Sequence, residues 1–480
     1  MAQLPVLPHG SPSIFSTLSE SLSFHASPES FITARVLAFR SQHPDLAEAR
    51  VPIRAKVLNR NVAVISSYKH VIHLLGDEAS KLSSSKAYDE LLAPFFPPPN
   101  LLLSDPPDHD PMKKKWRVRM AELSNQVCPK VEAITMSHFR GIQSGSAIDL
   151  YRSMKSLSWK LILSLFLPDS PSSSHRAPAS AEQFIKLQED LLRGQFSLFP
   201  LSINTRWWTS PRAKGIAARK QLQAVLRERM GQAHPGCPFS LPTSSDKDDV
   251  AAHSLLFTSS LAVKALASLL TALMLNLYAR DSSETNLTCL AERVGRTTGD
   301  KERHDLINSI IQETERLSPP VVGIMRRSID DVVLPADENN PTEILIPKNW
   351  DAWLYFVGAA RDPAIYGSTA DIFTPDRYCG DQGREKGFAF GAGPKMCLGE
   401  NLIREVVRTC VKVCIDMDAK DTTTAVVLRC DKSGLAPGLL GWLGHRGGVK
   451  SEDWARDMKQ LPTQRPTKPI VVTLDHRLDK

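Results

Sequence analysis

No residue constrains this chain more than Cys397, which lies in FAFGAGPKMCLGE, residues 388–400. Glycines at 391, 393 and 399 permit tight turns and a close approach of backbone to a flat object. The residues that follow, NLIREVVRTCVKVC, have the spacing of an amphipathic helix. Cys397 therefore stands between a turn-rich loop and a helix N-terminus. Backbone N–H groups and the helix dipole there favour a thiolate over a thiol. A thiolate so placed is a good axial ligand for iron. The same pattern also suits a glycine-rich loop whose buried cysteine merely opens a helix, and this segment alone does not separate the two.

The rest of the chain sets the frame. At 480 residues it is long for one core, yet its 42% apolar residues suffice for a large one, and 23% charge is ordinary for a globular protein. The net charge of +7 is spread out, with no dense Lys/Arg block interleaved with aromatics, so nucleic acid is not an expected partner. The 8 cysteines form no CxxC pair and are too sparse for a disulfide scaffold, which points to a reducing compartment. Cys410 and Cys414, four apart on one helix face, read as buried small apolar residues. The first residues lack the pattern of a signal peptide, and no terminal apolar run is long enough to span a bilayer. The apolar stretch 255–279 contains Lys264 and several hydroxyls and reads as a buried core helix. The expected location is cytoplasmic or peripherally membrane-associated.

Helical periodicity dominates, with helices expected near 45–49, 68–76, 112–125, 130–142, 150–166, 181–195, 211–230, 248–279, 303–317 and 398–417. Strand signals are short, near 51–55, 62–66, 324–334, 343–347, 425–429 and 469–474. No stretch reads as a linker between independent domains. The expected architecture is mainly α (α+β): a large helical body with a small β-rich part in a single domain, 31–480, preceded by an extension, 1–30.

Several segments placed in order around Cys397 make the chain resemble the cytochrome P450 superfamily. Phe390, Gly393, Lys395, Cys397 and Gly399 match that family's haem loop, with Lys395 a departure from the usual Arg or His. ETERLSPPVV (313–322) matches Glu-x-x-Arg through Glu313 and Arg316, and FTPDRY (373–378) matches Pro-x-Arg through Arg377. The resemblance implies that Glu313, Arg316 and Arg377 form a buried structural triad under the haem loop. It also implies haem b as cofactor, with Cys397 as the metal ligand. IMRR (324–327) resembles the strand that sends an Arg to a haem propionate, Arg326 first and Arg327 as fallback. MKKKWRVRM (112–120) resembles the helix whose Trp and Arg contact the propionates; Trp116 fits, while Lys115, Arg117 and Arg119 all remain open for the basic contact.

The long central helix lacks what the family usually carries there, an acid followed by Thr next to a Gly. From Ala251 to Arg280 there is no Gly, Asp or Glu. Alignment puts Thr258, Ser259 and Ser260 near the usual kink and Ala262 where the Thr normally falls. In one reading the enzyme is a monooxygenase that oxidises a lipophilic small molecule in specialised-metabolite biosynthesis. Thr258, Ser259 or ordered water then replaces the usual proton-delivering pair, or a substrate hydroxyl serves, and an NADPH-dependent reductase docks where Lys395, Arg404, Arg408 and Lys412 offer positive charge. In another it is an oxygen-independent haem-thiolate isomerase, dehydratase or lyase. A third reading is a haem-binding protein without turnover.

Overall fold

The computed structural model describes residues 50–57, 60–143, 146–167, 180–196, 202–231, 247–278, 290–336, 342–380 and 385–420, with 31, 34, 427–430, 458–459, 463–466 and 469–475. The extension 1–30 and the helix expected at 45–49 lie outside the described residues.

The helical body comprises α1 (Tyr68–Leu75), α2 (Ser84–Leu92), α3 (His109–Arg140), α4 (Leu150–Phe166), α5 (Ala181–Gln195), α6 (Pro211–Gly231), α7 (Lys247–Phe257), α8 (Ser260–Tyr278), α9 (Leu290–Arg296), α10 (Asp300–Leu317) and α11 (Glu400–Lys420). Local chemistry sets many of the ends. Asp149 accepts a hydrogen bond from Arg152 N to start α4, and Ser180 accepts one from Gln183 N to start α5. Along α4, Leu150, Met154, Leu157, Leu161 and Leu165 recur at helical spacing and are buried in the main core. Between α5 and α6 two glycines let the backbones touch. A Cβ on Gly194 would lie 2.9 Å from the Gly215 Cα and 2.8 Å from the Phe95 ring.

The β-rich part is a five-stranded sheet, β1 (Ile53–Val57), β2 (Arg60–Ile65), β3 (Leu82–Ser83), β4 (Gly323–Ser328) and β5 (Asp351–Tyr355), ordered β1-β2-β5-β4-β3. Only the β2–β5 pairing is parallel, with Val62 opposite Asp351; the other pairs are antiparallel. A small sheet joins Ala147–Asp149, Val427–Cys430 and Val471–Asp475. Buried side chains fall into two adjoining cores, one among the helices and one under the sheet. The loop carrying Cys397 passes between them: Phe388 belongs to the sheet core, Leu402 to the helical core.

Three expectations need correction. The helices expected at 112–125 and 130–142 are one, α3, which runs through Pro129. Its buried residues on both sides of the proline, Val127 and Val131, stay in the same core, so packing outweighs one lost backbone bond. The strand expected at 324–334 divides into β4 and a separate strand, Val332–Leu334, which pairs with Ile344–Ile346. The helix expected at 248–279 is broken between Phe257 and Ser260 into α7 and α8. The pair is long and apolar enough to cross a membrane, but 78% of its most apolar window is buried inside the protein. Of the cysteines, Cys410 and Cys414 are buried and in no disulfide, as expected of small apolar core residues.

Candidate functional site

The loop 388–400 is closed by its own backbone. Gly391 N–H donates to Phe388 O at 2.9 Å, Met396 N–H to Gly393 O at 3.1 Å, and Cys397 N–H to Phe390 O at 2.8 Å. Gly391 and Gly393 hold φ of 73° and 71°, a region that side chains strain to enter. At Gly393 a Cβ would also collide with the Leu75 carbonyl at the end of α1. The Cys397 sulfur sits just before α11, where it accepts the Gly399 N–H. Burial pushes the Cys397 thiol up; the Gly399 N–H pulls it down, Glu400 pushes it up and Lys113 pulls it down. By surface area Cys397 is nevertheless exposed. Both statements hold when the sulfur borders an interior hollow rather than the outer surface.

Two lysines brace this loop. Lys113 of α3 donates to Met396 O at 3.0 Å and to Pro394 O. Lys395 donates to Ser104 O at 2.6 Å, to Leu102 O at 3.2 Å and to the Ser84 hydroxyl, with Asp105 at 3.6 Å. Burial lowers the Lys395 ammonium to about 8, opposed by Asp105 and assisted by Arg326. Asp105 in turn accepts from the Ser83 and Ser84 hydroxyls and from Ser84 and Ser85 N, anchoring the start of α2.

Beneath the loop the structure brings Glu313, Arg316 and Arg377 together. Arg316 grips Glu313 through two bonds of 2.8 Å and donates to Ala360 O and Ala370 O at 2.8 and 2.6 Å. Arg377 Nε reaches Glu313 Oε1 at 3.0 Å, and Thr374 N–H donates to the same oxygen. Glu313 and Arg316 are fully buried. The i, i+3 spacing puts both on one face of α10, but only the fold delivers Arg377 to them. Gly387, just ahead of the loop, presses on this cluster: its Cβ would lie 2.6 Å from the Arg316 Cα.

A second ion cluster was not foreseen from sequence. Glu315, also buried, accepts from Arg404 at 2.7 Å, and the Arg404 guanidinium lies 5.1 Å from the Phe390 ring. This corrects the expectation that Lys395 and Arg404 offer surface charge for docking: both are turned into the protein and bonded there. Arg408 is held by Glu405 and Asn308.

The break between α7 and α8 is organised by hydroxyls. Thr258 Oγ1 donates to Ser254 O at 2.7 Å and accepts from Gln188 Nε2 of α5 at 3.2 Å. Ser259 Oγ accepts from Ala262 N at 3.3 Å and so caps α8. Ser260 and Lys264, one turn apart, both bind Glu189. Of the basic residues expected near a cofactor, Arg327 is paired with Asp351 at 2.5 Å. Arg326 is buried, and its only described bond is to Met325 O. Lys115 pairs with Asp249 at 3.0 Å, whereas the Arg119 guanidinium lies 4.8 Å from the Trp116 ring. Sequence reading passed over His253, which is fully buried against Trp116 with ring centroids 4.9 Å apart. Its signal was the i, i+4 spacing to Asp249, lost in a helix read for what it lacked.

These residues fit a haem. The sulfur is presented at a helix N-terminus, and two positive-φ glycines keep the loop backbone free of side chains at its closest turns. The buried Arg326 guanidinium has no carboxylate partner among the described residues, as a propionate-binding group requires.

Comparisons with known proteins agree with this. A family model described as Cytochrome P450 matches residues 265–411. "Echinocystic acid 23-monooxygenase" of Saponaria officinalis is 33% identical over 104 residues, covering 21% of this chain and 19% of that protein. "Cytochrome P450 26A1" of Xenopus laevis is 25% identical over 332 residues, covering 62% of this chain and 63% of that one. The chain thus spans less than two thirds of the length of either relative. Among solved structures, "Retinoic acid bound cyanobacterial CYP120A1" superposes with a TM-score of 0.69 at 18% identity, covering 95% of this chain and 96% of that one.

Proposed function

Because the chain belongs to the cytochrome P450 superfamily and its cofactor is haem b, we propose that it is a haem-thiolate monooxygenase acting on a lipophilic small molecule. The observation that carries this reading is the Cys397 sulfur, fixed at the start of α11 by the Gly399 N–H and braced from below by Glu313, Arg316 and Arg377. When bound, haem supplies the iron at which oxygen chemistry occurs, with thiolate electron donation favouring O–O cleavage.

The protein's own residues supply binding and proton control. Cys397 is the metal ligand, and Phe390, Gly393 and Gly399 shape the loop around it. Arg326, Trp116 and Arg119 are the propionate contacts, and Lys395 ties the loop to Asp105 and Ser84 beside them. Half-buried Leu256, Phe257, Leu261, Ala262 and Ala265 along the central helices give the site an apolar wall, which suits a lipophilic substrate. A specialised metabolite is the proposed substrate class. Of the two distal hydroxyls, Ser259 is the better proton donor: Thr258 already gives its proton to Ser254 O, whereas the described bond to Ser259 Oγ uses it only as an acceptor. An NADPH-dependent reductase would dock on the α11 face, and peripheral membrane association or a cytoplasmic location both suit the reading.

The ferrous carbon-monoxide spectrum tests the ligand: a Soret band typical of histidine-ligated haem in undenatured protein overturns it. Turnover under labelled dioxygen with a reductase tests the reaction, the expected result being label in the product. One observation favours a second reading, an oxygen-independent isomerase, dehydratase or lyase. The central helices carry no Asp or Glu from Ala251 to Tyr278, and the carboxylate at the break, Glu189, comes from α5 and is held there by Lys155 and Lys264. Product formed without reductant and without label would select it.

A further inference from the structure

The segment that leads into the ligand loop is held by three buried tyrosines. The Tyr68 hydroxyl donates to Glu385 Oε2 at 2.9 Å, with Lys386 O a second acceptor at 3.1 Å. Tyr366 and Tyr378 donate to Glu385 O at 3.3 and 3.1 Å. All three tyrosines are buried, while Glu385 itself is exposed. Packing alone asks only that each phenol find an acceptor. The acceptors differ in what they can do: a carboxylate takes up a full proton, and a peptide carbonyl does not. Among the described residues, Tyr68 is the one phenol of the three bonded to a carboxylate.

A phenol whose proton has somewhere to go is easier to oxidise, because the charge left by the departing electron leaves with the proton. Burial holds the Tyr68 phenol above its ordinary value and the Glu385 hydrogen bond adds to this, so the ring keeps its proton until an electron is removed. Its neighbours are worse electron donors. The Arg316 guanidinium lies 4.6 Å and that of Arg377 5.9 Å from the Tyr366 ring, and Arg119 lies 4.8 Å from the Trp116 ring. A cation at that range opposes removal of an electron. Tyr68 is also coupled to the ligand. Cys397 N–H donates to Phe390 O and Gly391 N–H to Phe388 O, and the Phe388 and Tyr68 ring centroids are 4.8 Å apart. Tyr366 stands one step further out, 6.0 Å from Tyr68.

We propose that Tyr68 is a redox-active residue, with Glu385 as its proton acceptor, that gives one electron to an oxidised haem centre when no substrate is present to be oxidised. This rests on the haem-thiolate reading. It adds a way to discharge oxidising equivalents away from the Cys397 sulfur. The oxidant is an organic peracid, whose O–O bond breaks at the cofactor, releasing the carboxylic acid and leaving the holoprotein two equivalents oxidised. One equivalent then moves: the Tyr68 O–H bond breaks, its electron goes to the cofactor, its proton goes to Glu385 Oε2, and a neutral phenoxyl radical remains.

The test uses full-length ferric holoprotein without substrate, mixed with peracetic acid and frozen within milliseconds. Wild type should give the electron paramagnetic resonance signal of a tyrosyl radical, identified by its narrowing when the tyrosines carry deuterated rings. Tyr68→Phe keeps the ring against Phe388 and removes only the hydroxyl. It should lose most of that signal and bleach its haem several-fold faster under excess peracid. Glu385→Gln keeps an acceptor but takes up no proton, and should slow the rise of the signal several-fold; being at an exposed site, it carries the test if Tyr68→Phe folds poorly. Tyr366→Phe and Tyr378→Phe should keep the signal. A radical of wild-type size in Tyr68→Phe, a tryptophan radical in its place, a loss confined to Tyr366→Phe or Tyr378→Phe, or no radical in wild type would overturn the relay. An unchanged rise in Glu385→Gln would overturn the proton acceptor. A wild-type protein without a thiolate-type carbon-monoxide spectrum would instead overturn the reading beneath the proposal, so the two failures are distinguishable.

Discussion

The two sides of the haem site are built from different materials. On the proximal side, ions are buried and each is matched: Glu313 by two guanidiniums, Arg316 by Glu313 and backbone carbonyls, Glu315 by Arg404. Removing one member strands another in a medium that does not solvate charge. At the central helices, the break between α7 and α8 is held by hydroxyl bonds, each individually modest, beside an ion cluster in which Glu189 takes Ser260, Lys155 and Lys264. One side is therefore specified by several matched buried charges, and the other by hydroxyl bonds of individually modest value around that ion cluster.

The largest effect is expected at the ligand. Cys397→Ser should abolish the thiolate-type carbon-monoxide spectrum and lower oxygen-dependent turnover by about three orders of magnitude or more, over about 4 kcal/mol of barrier. Spectroscopy and steady-state kinetics check it, and retention of the spectrum would place the ligand elsewhere. Next, Glu313→Gln should lower folding stability by about 3–5 kcal/mol, because two buried guanidiniums lose their carboxylate. Chemical denaturation measures this, and a loss below about 1 kcal/mol would remove the proximal half of the comparison.

Glu189 probes the wall between α4, α5 and α8. Burial alone would raise its carboxyl, but Lys155 and Lys264 lower it to about 2 from 4.5. A depressed carboxylate contributes stability above its unfolded value that disappears as pH falls through its folded one. Glu189→Gln should therefore cost about 2 kcal/mol at neutral pH, and the difference from wild type should fade between pH 4.5 and 2. Denaturation midpoints across that window check it; a constant difference would refute the ionic origin. The smallest effect is expected at the break. Ser259→Ala should cost about 1 kcal/mol through its lost cap, and should slow oxygen turnover by about tenfold or less while uncoupling it from product. Unchanged rate and coupling would remove the proton-donor role. A cost above that of Glu313→Gln would invert the comparison itself.

The ends of α4 and α5 were legible because cap, apolar spacing and boundary coincide locally in sequence. The merger of two expected helices across Pro129 was not, since a proline weakens a helix locally while the core on both sides holds it. Nor was the split at Thr258: no Gly or Pro marks it, and its bonds run to Gln188 on another helix. Glu313 and Arg316 were legible as a pair, and the resemblance supplied Arg377. Arg404 was readable only as a charge, and whether that charge faced solvent or Glu315 depended on an element 89 residues away.

Sequence by itself determined that a cysteine stands between a glycine-rich turn and a helix, because turn chemistry and helix periodicity are local. Tertiary structure decided what surrounds it: which lysines brace the loop, which arginine has no carboxylate partner among the described residues, and that the histidine of α7 meets Trp116. Those depend on where distant charges land relative to one another, since the cost of burying a charge is fixed by its neighbours in space.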